Sequence, residues 1–361
     1  MPQFAVQIPI NGVSFGQVSF NILYEFYKMG LNPCIFKATD HQFDVSSFNV
    51  DQGFLAWIER NHVSALSRHS RKDPTIRLWH INDSLRSYSD RQILLTFHET
   101  DRLTEVEQNI LKSSEVCVSS KYTQDVFSKY GIKSSIVPLG FDGVHYYPTN
   151  KTYFDDGRIT FNLCGKFEKR KHHEKIIRAW IKKFGRDKRY SLQCAIHNLF
   201  YQDPNELKLI YNNILEGKPV FNVSFLSNMP KNSIYNDFLN SSDIIIGMSG
   251  AEGWGLPEFQ SVAIGKHAVI LNATAYKEWA TELNSVLVEP NGMIDVYDGK
   301  FFAPGAPFNQ GQIYTFDDDA FIFGCEQAIK RVETERVNKE GLNLRNNFTY
   351  KNTAEKLLSM I

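Results

Sequence analysis

The sequence predicts an α/β protein made of two halves, each a parallel sheet covered by helices. Three observations carry that expectation. Short apolar runs alternate with helical periodicity from the start of the chain. The alternation breaks at a polar stretch containing Pro and Gly, residues 146–157, and then resumes. The length, 361 residues, is that of two ordinary domains. Apolar residues make up 42% and charged residues 22%, as in a chain that folds around buried cores.

In order, residues 3–9 read as a strand bounded by Pro and Gly. A helical pattern then runs from Gly16, with Val18, Phe20, Ile22, Leu23, Phe26 and Tyr27 on one broad face, and stops at Gly30. Strands follow at 33–38, 75–80 and 92–97. Next come a helix over 101–112, a short strand at 115–118, a helix over 122–130 stopped by Gly131, and a strand at 133–137. After the break, strands are expected at 158–164, 190–196, 220–225, 243–248 and 267–272. Helices are expected at 174–184, 233–239 and 257–264, and the tail 349–360 is helical. The expected domains are 1–150 and 151–338, with 339–361 as a closing segment. In open parallel sheets ligands lie at the C-terminal ends of strands, so the site is expected in a cleft between the halves.

Charge and cysteine use narrow the function classes. Lys plus Arg and Asp plus Glu each number 40, so no global field draws the chain to nucleic acid or acidic membranes. Cys34, Cys117, Cys164, Cys194 and Cys325 are scattered without metal-like spacing and read as buried reduced thiols. The N-terminal residues carry no basic and apolar leader pattern, and no apolar run reaches membrane-span length; the expected location is cytoplasmic.

Four segments can carry chemistry. The first is Ser249-Gly-Ala-Glu-Gly-Trp-Gly-Leu-Pro257, between a buried-looking strand and a helix whose first residue is Pro257. Free backbone N–H groups at that helix start form an anion site, and Gly253 and Gly255 let a ligand approach the backbone. Glu252 can accept hydrogen bonds from sugar hydroxyls; a tight turn with an acid in it is the plain alternative. The second is Gly165-Lys-Phe-Glu-Lys-Arg-Lys171, where Lys166 and Lys171 can converge on a phosphate and stabilise a leaving group. A solvated basic loop is the alternative. Residues 166–189 hold 11 Lys/Arg against 3 Asp/Glu, an excess that suits the outer face of a helix, an acidic acceptor or a lipid headgroup. The third is Asn11-Gly-Val-Ser-Phe-Gly16, either a ligand loop or a mere connection. The fourth is His98, which ends a strand, as the lower-ranked His80 does; a core histidine is the alternative. Asp317-Asp-Asp319 reads as a solvated acidic turn, and no metal site is expected.

Together these segments resemble the retaining family 4, or group 1, glycosyltransferases of the GT-B fold, two Rossmann-like domains facing each other across a cleft. "CGKFEKRKHHEKIIRAWIKKF" is similar to the family's Gly-Arg-x5-Lys segment, with Lys166 in the Arg position. "AEGWGLPEFQSVAIGKHAVI" is similar to its Glu-x7-Glu signature, with Trp254 where Phe is usual. "FTYKNTAEKLLSMI" resembles the closing helix that packs back on the first domain, "FHETDRL" the segment bearing a cleft histidine, and "SSEVCVSSKYTQDVFSKYGI" with "IVPLGFDGVHYYP" the run into the linker.

The resemblance implies a metal-independent transfer from a nucleotide-diphospho sugar, with no cofactor. It gives Lys166 and Lys171 to the diphosphate and Glu252 to the donor sugar. The backbone of Gly253, Trp254, Gly255 and Leu256 goes to sugar hydroxyls and phosphate, His98 to the sugar's edge, and Gly12 and Gly16 to the acceptor side. The second signature acid is replaced by Gln260, which takes a ribose hydroxyl without charge assistance. Glu258, about 200° around the helix from Gln260, is expected to point elsewhere as a first-turn acid. The acceptor is a glycan, a lipid-linked or a small molecule, with peripheral membrane contact as a further reading. The zero net charge disfavours a DNA base as acceptor. A GT-B protein that binds without transferring, and a nucleotide-sugar epimerase, are the other readings.

Overall fold

A computed structural model describes residues 3–38, 43–154, 156–201 and 203–361. Six strands form the first sheet: β1 (Ala5–Ile8), β2 (Cys34–Lys37), β3 (Thr75–Leu78), β4 (Gln92–Thr96), β5 (Glu115–Val118) and β6 (Ser134–Ile136). They lie in the order β2-β1-β3-β4-β5-β6, all parallel. The second sheet uses β7 (Ile159–Cys164), β8 (Tyr190–Ala195), β9 (Val223–Phe225), β10 (Ile244–Gly247), β11 (His267–Leu271) and β12 (Val286–Val288). Its order, β12-β11-β10-β7-β8-β9, is also all parallel. A small antiparallel hairpin, β13 (Gly292–Asp295) and β14 (Gln312–Thr315), is added beside it. The central strands are buried on both faces, which is why they read as continuous apolar runs such as Ile244-Ile-Ile246.

The helix Ser14–Lys28 follows β1 and buries Phe15, Val18, Phe20, Ile22, Leu23 and Phe26, the face its periodicity foretold. The helix expected over 101–112 starts later, at Glu105, because Thr104 closes a capping box with Glu107. Asp101 is spent elsewhere: its carboxylate accepts the N–H of Gln312 from the other domain at 2.6 Å. The sequence reading passed over the helices Gln52–Val63, Pro204–Ile214 and Asp318–Thr334. Asp317 caps the last of these, accepting from the N–H groups of Asp319 and Ala320, so the acidic triplet is a helix start rather than a bare turn. All five cysteines are buried and unpaired. Among the described residues no helix is long and apolar enough to cross a membrane.

The chain passes between the domains twice. Asp155 of the first passage lies outside the described residues. Tyr147 and Thr149 are tied to Asn236 and Asn240 of the second domain. The second passage ends in the helix Tyr350–Leu358, which packs on Ser14–Lys28 of the first domain. The two passages touch: Phe141 pairs with Thr349, and its N–H donates to Phe348 O at 2.9 Å. One apolar cluster runs through this point, with Phe348 packed on Trp254 and Phe259.

Candidate active site

The site gathers where β7 and β10 end against the loop after β4. After β7 the chain makes a tight turn, Lys169–Lys171, and His172 takes a left-handed conformation before the helix His173–Phe184. This turn points Arg170 and Lys171 inward. Both are buried, and both meet Glu252, which is 5% exposed at the end of β10. Lys171 Nζ pairs with Glu252 Oε1, and Arg170 Nη1 reaches the same oxygen at 3.2 Å and Ala251 O at 2.7 Å. Lys166 is half exposed; its Nζ lies 3.1 Å from Glu168 and over the ring of Phe200.

Arg170 is the residue the sequence reading missed. Its guanidinium also binds Glu168 at 2.7 Å and, across the interface, Glu99 of the first domain at 3.1 Å. Three carboxylates from three segments therefore converge on one planar cation, whose fork of N–H donors suits several partners at once. Burial raises the Glu252 pKa, but Lys171 and Arg170 outweigh it and hold it below its ordinary value. Burial likewise opposes ionisation of Glu168, which Arg170, Lys166 and Lys171 bring down to about 2. Burial pushes the Glu99 pKa up, helped by Glu252 and Glu168, against the pull of Arg170.

The loop after β10 shows why its glycines are needed. Gly255 has φ +79°, and a Cβ there would lie 2.2 Å from Tyr276 Cε1. Gly253 lies against the first domain: a Cβ there would be 2.8 Å from Phe97 Cβ, and its carbonyl accepts from Ser119 Oγ. The helix Leu256–Ala263 begins at Gly255 with no side-chain cap, and Pro257 occupies its first turn. The N–H groups of Trp254, Gly255 and Leu256 find no acceptor among the described residues, leaving a helix N-terminus open to an anion. Thr274, a β-branched residue at φ +50°, receives the N–H of Glu252 on its hydroxyl at 3.3 Å. A strained conformation held at this spot marks a place where geometry outranks backbone preference. The Trp254 side chain turns away into the apolar cluster, leaving only its backbone at the loop.

Other expected residues fall differently. His98 Nε2 lies 2.9 Å from Arg102 O and 3.2 Å from Thr100 Oγ1, and its ring packs on Phe127. Its bonds close its own turn, and Glu99 is the neighbour that reaches the cluster. His80 is the strand-end histidine that stays exposed, within the field of Lys166. Gly16 closes the loop after β1, since a Cβ there would lie 2.2 Å from Asn11 O, while Gly12 is exposed against Ser47. Gln17 and Asn232 exchange amide hydrogen bonds of 2.9 and 3.0 Å across the interface.

Glu258 lies in the first turn, around the helix from Gln260, yet away from solvent. It is 2% exposed and packed beneath the loop, where Cβ atoms on Gly247 or Gly255 would crowd it. Burial pushes its pKa up to about 7, against the pull of Lys171 and with a push from Glu252. The helix is buried nearly all round, so two positions on opposite sides are both interior. Gln260 is also buried, and its Oε1 has no hydrogen-bond partner among the described residues.

Sequence comparison finds no family model that matches the chain and no curated protein similar to it. Solved structures do resemble it over its whole length. A glycosyltransferase from Rickettsia africae is 14% identical, with a TM-score of 0.69 and coverage of 100% of this chain and 98% of that one. A sucrose-phosphate synthase from Thermosynechococcus elongatus is 12% identical, with a TM-score of 0.68 and coverage of 99% and 98%. The HepE protein of Anabaena, solved in complex with UDP and glucose, is 12% identical, with a TM-score of 0.65 and coverage of 100% and 99%. At these identities the likeness establishes architecture: the chain has the GT-B fold, two Rossmann-like domains facing each other.

Proposed function

We propose that the protein is a retaining, group 1 glycosyltransferase that moves a sugar from a nucleotide-diphospho donor to an acceptor hydroxyl without a metal ion. The observation that carries this reading is the buried Glu252 held by Lys171 and Arg170 beside an uncapped helix start. The neighbour HepE was solved with UDP-glucose, which supports a donor of that kind.

In this reading the diphosphate displaces the carboxylates from Lys171, Lys166 and Arg170 and takes the open N–H groups ahead of Leu256–Ala263. Glu252 is then free to accept hydrogen bonds from the sugar. As the bond from the anomeric carbon to the leaving oxygen breaks, its electron pair stays on the phosphate. Preplaced cations stabilise that growing charge most strongly where water is scarce. The acceptor oxygen attacks from the same face and its proton passes to the departing phosphate. The unpartnered Oε1 of Gln260 is the acceptor for a ribose hydroxyl.

A thermal-shift screen against UDP, GDP, ADP, CMP and dTDP sugars tests the donor. A ligand at about 100 times its Kd stabilises by about 2.7 kcal/mol. Release of free nucleotide, persisting in EDTA and abolished by Glu252→Ala, is the expected result. No shift with any donor overturns the reading. A shift without turnover marks a binding protein, and conversion of the donor sugar with no acceptor marks an epimerase.

A further inference from the structure

The first domain presents an aromatic shelf to the donor loops. Phe15, buried at the start of its helix, lies 4.2 Å from the ring of His80, 4.8 Å from Phe97 and 5.7 Å from Trp79. Trp79 and His80 leave the end of β3 with their rings nearly perpendicular, 5.2 Å apart. Phe97, at the end of β4, backs directly onto Gly253. His80 feels the charge of Lys166, which follows β7 in the other domain. The shelf therefore lies opposite the segments given above to the diphosphate and the sugar.

Two polar groups on the shelf are open. Trp79 is half-buried, and its indole N–H has no partner among the described residues; His80 is exposed, and neither ring nitrogen has one. The neighbouring Phe15 and Trp79 rings, with the charge of Lys166, hold its pKa below the ordinary value. The imidazole is neutral at physiological pH and offers one nitrogen as an acceptor.

We propose that the Trp79–His80 shelf is the acceptor site and that it takes a carbohydrate, whose ring face lies on the aromatics and whose hydroxyl bonds to His80. A sugar hydroxyl both donates and accepts, which matches a neutral imidazole beside an indole N–H. A purely apolar acceptor would leave both groups desolvated and unpaired, which is unfavourable. The proposal rests on the glycosyltransferase reading, because the shelf gains its meaning from the donor held opposite.

The test uses methyl glycosides of glucose, galactose, mannose and N-acetylglucosamine as probes with the wild type, Trp79→Ala, His80→Ala and His80→Gln. Nucleotide release from the best donor is measured with and without each glycoside, and tryptophan fluorescence is titrated with the same glycosides. Glycoside should stimulate wild-type release. That stimulated part should fall about tenfold or more in Trp79→Ala and His80→Ala, relative to glycoside-free release in the same samples. His80→Gln, whose amide oxygen still accepts a hydroxyl, should recover part of it. Stimulation that survives both alanine variants overturns the shelf and leaves the enzyme reading standing. A wild type that releases nucleotide but responds to no glycoside overturns the carbohydrate class. If no donor is turned over, the enzyme reading fails; glycoside quenching that is absent, or that persists in Trp79→Ala, then overturns the shelf separately.

Discussion

Replacing Glu258 by Gln should stabilise the protein, and more so in alkali. The carboxyl is 2% exposed, its Oε2 has no hydrogen-bond partner among the described residues, and burial pushes its pKa up to about 7 from an ordinary 4.5. Between those values the folded protein keeps a proton that the unfolded chain has lost. Folding is therefore least burdened below pH 4.5, and stability is lost as pH rises through 7. At about 1.4 kcal/mol per tenfold in proton activity, the burden is about 1 kcal/mol at pH 5 and about 3 kcal/mol at pH 8. Gln preserves the shape and removes the titration. Guanidinium unfolding of both proteins at pH 5 and pH 8 measures the difference. The variant's advantage should be larger at pH 8 by about 2 kcal/mol. An advantage equal at the two values, or larger at pH 5, refutes the assignment of a proton-holding carboxyl to this place.

Gly255→Ala, which combines φ +79° with a contact 2.2 Å from Tyr276, should cost about 1–3 kcal/mol of stability and abolish the thermal shift by donor. Gln260→Glu should tighten donor binding by about 1 kcal/mol, read by calorimetry, since a carboxylate accepts the ribose hydroxyl more strongly; unchanged affinity would remove Gln260 from the site. Glu99→Ala removes the cross-domain bond to Arg170. It should increase the radius of gyration of the ligand-free protein in solution scattering, and an unchanged radius would show that the pair does not hold the domains together.

The two sheets were legible because buried parallel strands are short apolar runs closed by Gly, Pro or polar residues, as Ile244–Gly247 shows. The loop after it was legible for the same reason, since Gly253, Gly255 and Pro257 announce a turn and a helix start. Arg170 was not legible. In sequence it is the middle of a basic triplet, and only the turn before His172 brings it to Glu99, Glu168 and Glu252. The different settings of His98 and His80 were not legible either. Both end strands, and it is the turn through Thr100 and Arg102 that ties one of them inward. Glu258 and Gln260 lie on opposite sides of their helix, and because that helix is enclosed on almost every side, both are buried, which periodicity alone does not reveal.

The contact between Phe141 and Thr349 has a mechanical consequence. Two separate crossings would brace the domains against each other like a frame. Here the crossings are fastened together, so they act as a single axle, with the apolar cluster around Phe348 as its bearing. The pair Glu99–Arg170 lies close to that bearing, since Arg170 also donates to Ala251 O, three residues before Trp254. An anion competing for that guanidinium therefore acts beside the axle, where Ser119 also bonds to Gly253 across the interface.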